Sequence, residues 1–167
     1  MRIVVSTLAC AALLLATLAL GAQEPVQAME DKGPEHHIQY LPGEIEWRDG
    51  PGSLRAGAQF AVLEGNPAEP GVFTMRLKLP DGFHISPHWH PGVERVTVLS
   101  GMFLLGPGET LDKDAATRLE PGSYVSMPPG MRHYALAEGE TVVQLTSIGP
   151  WQINYVDPAD DPRLQGQ

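Results

Sequence analysis

Gly82-Phe83-His84-Ile85-Ser86-Pro87-His88-Trp89-His90-Pro91-Gly92-Val93-Glu94 is the stretch on which the reading of this chain turns. On an extended strand His88 and His90, two residues apart, project to one face and Trp89 to the other. Pro91-Gly92 then makes a turn, and Glu94 opens a second run in which Glu94, Val96 and Val98 share a face. A carboxylate is thereby set among apolar side chains. His133 follows downstream. A buried carboxylate and three buried imidazoles are costly when isolated and satisfied around a cation. Such a mixed N/O set suits a divalent Mn, Fe, Co, Ni, Cu or Zn ion. Four protein ligands leave about two positions open on an octahedral ion.

The rest of the chain is punctuated to match. Of 167 residues, 18 are Gly and 16 are Pro, while 43% are hydrophobic, too many for a low-complexity polymer. Beyond Ala22 only Glu109–Glu120 runs for 12 residues without Gly or Pro. Long helices are excluded, and gaps of this size suit short strands in a sandwich or barrel. Strands are predicted at His37–Leu41, Ala58–Glu64, Val72–Leu79, Val93–Leu99, Met102–Leu105, Ser123–Met127, Met131–Ala137, Thr141–Ile148 and Trp151–Val156. In Val72–Leu79 the residues Phe73, Met75, Leu77 and Leu79 form one apolar face. Leu111, Ala115 and Leu119, four apart, allow at most one short amphipathic helical turn.

Two spacings carry a resemblance. Gly82-x5-His88-x-His90-x3-Glu94-x6-Gly101 matches the first motif of the cupin superfamily at every position. Gly122-x5-Pro128-x-Gly130-x2-His133 matches the second up to its closing Asn, which here is Ala137. The sequence therefore resembles single-domain cupins, and its extended neighbourhood, Pro70–Leu77 through His88-Trp89-His90-Pro91, resembles exported bacterial members of uncharacterised type. The resemblance implies an all-β jelly-roll barrel and a metal held by His88, His90, Glu94 and His133. The closing Asn is not usually a ligand, so Ala137 leaves that expectation in place.

Charge and termini bound the partners. The formal charge is −9, from 11 Lys/Arg against 20 Asp/Glu, and the basic residues are scattered singly. No basic stripe exists to neutralise a phosphate backbone, which argues against nucleic acid. Residues 1–22 read as a cleaved signal peptide: Arg2, an apolar run, then the small residues Gly21-Ala22. A retained anchor is the alternative, since Ile3–Ala22 is 20 residues long, but its alanines and threonines make it a weak one. Cys10, the only cysteine, would leave with the signal. The expected organisation is a flexible leader at 23–35, a jelly-roll domain at 36–157 and a polar tail at 158–167, in a periplasmic or secreted protein without stable membrane insertion. His37–Leu41 is expected to add to a neighbour's sheet edge in a homodimer.

Among the other candidates, His84 shares strand parity with His88 and His90, but Pro87 stands between them, so an exposed turn histidine is the main expectation. Tyr124, Met127, Met131, Gln144 and Thr146 are further cavity candidates whose faces the sequence does not assign. Two functions stay open at this point. One is a metal-dependent enzyme, foremost an oxygenase, on a small anionic chelating substrate, with Glu94 as the one carboxylate able to move a proton if it leaves the metal. Isomerase or decarboxylase chemistry would use the same groups. The other is a non-catalytic periplasmic module that binds a small molecule or metal.

Overall fold

Turn residues fall where the chain reverses, and the runs between them pair. The computed structural model describes residues 37–165. The signal at 1–22, the leader at 23–35 and His36 lie outside the described residues. Nine strands follow in order: β1 (Arg48–Asp49), β2 (Gln59–Glu64), β3 (Gly71–Leu79), β4 (His84–Trp89), β5 (Glu94–Pro107), β6 (Thr117–Leu119), β7 (Tyr124–Met127), β8 (His133–Gly149) and β9 (Asn154–Tyr155). Every pairing is antiparallel.

β8 is the hub. β5 runs along one of its edges, from Arg95 opposite Thr146 to Pro107 opposite His133. On the other edge β4 pairs with the first part of β8 and β3 with the second. β2 and β1 extend the β3 side, β9 extends β4, and β6 and β7 line the far edge of β5. The sheet curls on itself as an all-β jelly-roll barrel, as the sequence predicts. Its interior is the apolar face of each alternating run. Phe73, Leu79, Val98, Val143 and Leu145 are each at most 2% exposed. Burial of each such side chain contributes about 1.5–3 kcal/mol.

Two pairs of predicted strands are each one continuous strand. Val93–Leu99 and Met102–Leu105 merge in β5, and Met131–Ala137 and Thr141–Ile148 merge in β8. The register between them slips around Ser100, where β5 bends. Gly101 permits the bend: its φ is +77°, and a Cβ there would collide with the Glu140 carbonyl.

Elsewhere local expectations yield to pairing. No helical turn forms around Leu111, Ala115 and Leu119. The Asp112 carboxylate accepts from the Asp114 and Ala115 amides and closes a turn, and β6 then pairs with β5. His37–Leu41 is not a strand: among the described residues the first strand is β1, and Pro42 begins a 3-10 turn before it. Of the predicted Trp151–Val156 only Asn154–Tyr155 forms a strand, on β4, while the Val156 amide donates to the Pro87 carbonyl and that of Trp151 to the Pro67 carbonyl. The polar segment after Asp157 folds into 3-10 turns at Pro158–Asp160 and Pro162–Leu164, capped by Asp157 and Asp161.

Candidate metal centre

Three strand ends meet inside the barrel. His88 lies near the end of β4, with His90 just beyond it; Glu94 opens β5 and His133 opens β8. All four residues are buried, at 2–7% exposure. A bulge delivers the histidines. Between Ile85 opposite Ala135 and His88 opposite His133, β4 advances one residue more than β8. Phe83 and Ile85 face the core before the bulge, and His88 and His90 face it afterwards. His84, in phase with them by simple counting, is turned away instead. Its ring nitrogens meet Arg55 Nη1 at 2.7 and 3.2 Å, which answers the question its parity raised. Burial, then the nearby Arg55 charge, lowers its pKa.

The three imidazoles are aimed by the backbone. Nδ1 of His88 donates to the Ser86 carbonyl (2.8 Å), that of His90 to the Gln152 carbonyl (2.7 Å), and that of His133 to the Met131 carbonyl (3.0 Å). A carbonyl only accepts, so each Nδ1 carries a proton, and the nitrogen left facing inward is Nε2, the atom that the ligating tautomer offers to a cation. The ligand atoms of the three histidines lie within 4.8 Å of one another. Glu94 Oε2 sits 3.2 Å from both His90 Nε2 and His133 Nε2. Neither His90 Nε2 nor Glu94 Oε2 has a hydrogen-bond partner, although both are buried.

Lone pairs facing a carboxylate oxygen at such distances repel unless a cation lies between them. The donor set therefore fits a divalent transition ion, and the backbone bonds at Nδ1 are the outer shell that such ligands use. Burial, with His133 and His90 alongside, pushes the His88 pKa down to about 3, so the ring is neutral and able to ligate. Burial would raise the Glu94 carboxyl; N–H donors and positive charge on the His133 and His90 side outweigh it and hold the carboxyl below the usual range, and a cation between them brings the same positive charge when the rings ligate.

A family model described as the ChrR Cupin-like domain matches residues 35–152. The protein belongs to this cupin family. No curated protein matches the sequence. Among solved structures, the polyketide cyclase RemF from Streptomyces resistomycificus superposes at TM-score 0.60 and 16% identity, over 77% of this chain and 91% of that one. An acetylacetone dioxygenase from Acinetobacter johnsonii gives 0.58 and 18%, over 77% and 83%. KdgF from Halomonas sp. gives 0.52 and 22%, over 65% and 92%. At these identities the likeness is one of fold.

This cupin carries a cavity of about 250 Å³ above the ligand set, floored by His88, His90 and Glu94 and walled by Leu54, Phe60, Met75, Leu77, Ile85, Leu145 and Ile153. A space of about 20 Å³ behind Glu94 and His133 is lined by Met127, the one further cavity candidate whose face turns inward to it. Gln144 and Thr146 face outward, bonded to Arg76 and Thr74, and Tyr124 is 60% exposed. Sequence reasoning missed Trp151 and Arg163. Trp151 stacks on His90 (centroids 4.0 Å apart, 18° between planes) and meets Phe73 edge-on at 5.7 Å. Arg163, from the last 3-10 turn, reaches the cavity rim. Trp89 does not line the cavity, in keeping with its place on the opposite face.

Proposed function

We propose that this cupin is a metal-dependent oxygenase for a small, anionic, chelating substrate, with His88, His90, Glu94 and His133 as the metal ligands. The observation that carries the reading is the set of buried donor atoms lacking hydrogen-bond partners, placed at the floor of an apolar cavity. Bound there, a divalent transition ion supplies Lewis acidity and redox chemistry. The chain supplies the rest. The Ser86, Gln152 and Met131 carbonyls hold the three rings in their ligating tautomer. The apolar walls take up the hydrocarbon body of the substrate and exclude water, which strengthens every charge interaction inside.

Oxygenase chemistry is favoured over isomerase or decarboxylase chemistry by what lines the cavity. Among the described residues its only ionisable side chains are His88, His90, Glu94 and Arg163. A proton-shuttling enzyme needs an acid and a base placed beside the substrate. Here every candidate except Arg163 belongs to the ligand set, and Arg163 does not titrate near neutral pH. Glu94 is the one group able to accept a substrate proton, on leaving the metal. Neighbours in fold include a dioxygenase and a cyclase, so the fold itself does not choose among reactions.

The test is elemental analysis of the purified protein followed by an oxygen-electrode assay with a small β-diketone. Iron or copper with substrate-dependent oxygen consumption is the expected result, and His88→Ala and His133→Ala should each strip the metal. A tightly zinc-loaded protein, inert under oxygen, would make the chain a binding module instead; full metal retention in both variants would remove the site. We further propose that residues 1–22 direct export and are cleaved, and that the chain pairs as a homodimer. The intact mass of the mature protein and its sedimentation velocity test these two points.

A further inference from the structure

On the footing of the metal-centre reading above, we propose that Arg163 is a specificity-determining residue that receives a carboxylate at the far end of the substrate. The substrate class then becomes a chelating head, a short apolar body and an acidic tail.

The cavity has two polar ends and apolar walls. The ligand set forms one end, and among the described residues the only cationic side chain at the rim is Arg163, beside the uncharged Ser53 and Gln152. Its guanidinium does not wander. Nε and Nη2 each donate to the Asp161 carboxylate at 2.7 Å, and Nη2 also donates to the Ile153 carbonyl at 2.9 Å. The Arg163 amide in turn caps on Asp161 at 3.0 Å. These bonds use the Nε proton and both Nη2 protons of the guanidinium. Nη1 takes no part in them, and the side chain is 45% exposed. A planar fork fixed in this way presents its remaining donors at a set position, so little ordering remains to be done when an anion arrives. A strap for the C-terminal turn would need only Nε and Nη2; the position on the cavity rim and the unused Nη1 are left over.

Asp161 neutralises the arginine at longer range. The contact proposed is therefore a directed, charge-assisted hydrogen bond, and its effect should be about tenfold in affinity. Apolar walls offer no other partner for a charge, so an acid group on the substrate body is tolerated only where it reaches the rim.

The experiment uses the protein loaded with Zn(II), which binds without turnover. Calorimetry measures affinities for acetylacetone, for its ω-carboxylated homologues of increasing chain length, and for the methyl esters of those acids. At least one acid should bind about tenfold more tightly than its ester, and R163Q should erase that difference while leaving acetylacetone unchanged. Equal binding of acid and ester at every length in the unaltered protein overturns the proposal, as does a preference that survives R163Q. If R163Q weakens acetylacetone as well, R163K decides: a reduced carboxylate preference supports the assignment and no preference overturns it. Failure of the protein to take up zinc would overturn the metal-centre reading and this proposal with it, whereas failure of every diketone acid to bind once zinc is held would overturn this proposal alone.

Discussion

Replacing Trp151 by Leu separates packing from metal binding at this site. The indole makes two ring contacts, stacked on His90 at 4.0 Å and edge-on to Phe73 at 5.7 Å. Aromatic contacts of this kind contribute about 0.5–1.5 kcal/mol each beyond buried area. Leucine also leaves part of the indole volume empty, so the expected total loss is about 2–3 kcal/mol. For a domain of this size that is a fall of roughly 6–15 °C in Tm. His90 keeps its Nδ1 bond to the Gln152 carbonyl but loses the surface that fixes its ring plane. Metal affinity should drop about tenfold, the low end of what outer-shell changes cost. Trp151→Phe should restore part of both. The measurements are thermal melts with chelator present and a metal titration against a chromophoric competitor. A variant that melts lower yet holds metal within twofold of the original would refute the coupling, leaving Trp151 as core filler alone.

Three further outcomes follow from the same geometry. Because the His88 pKa is depressed from 6.5 to about 3, the unfolded chain binds more protons than the folded one between these values. Stability and metal retention should therefore both decline as pH falls from about 6.5 toward about 3, seen as a falling Tm and dialysable metal; a flat profile across that window would contradict the buried neutral ring. His84→Ala should leave metal content unchanged, since its ring faces Arg55 and not the cavity; loss of metal would show the bulge to be misread. Gly101→Ala meets both a φ of +77° and the Glu140 carbonyl, and should destabilise by about 2–5 kcal/mol in denaturant titrations.

The four proposed ligands were legible because motif spacing and strand period agree: His88 and His90 two apart, and Glu94 in phase with Val96 and Val98. His84 marks where counting stops working. One extra residue between Ile85 and His88 reverses the phase of the strand, and Pro87 hinted at a break without giving its direction. The breaks predicted between Leu99 and Met102 and between Ala137 and Thr141 are not strand ends, since β5 and β8 each run on through them with a slip in register. Trp151 and Arg163 were invisible for a different reason. His90 and the Gln152 carbonyl are 62 residues apart in sequence, and only closure of the barrel brings the segment after Pro150 over the ligand set. A polar run such as Asp157–Gln167 carries no periodicity that would place one arginine on a cavity rim.

The position of β8 also bears on how fast the protein can reach its working form. The strand that pairs with β3, β4 and β5 follows all three in the chain, and it brings Gly149 opposite Gly71 and His133 opposite His88. Long-range pairings of this kind slow folding, because the entropy of closing large loops is lost before any contact repays it. Until β8 docks, the barrel stands open and His133 is far from its companions. Metal uptake by a refolding chain would thus serve as a clock for the final step, starting only when the hub strand has found its place.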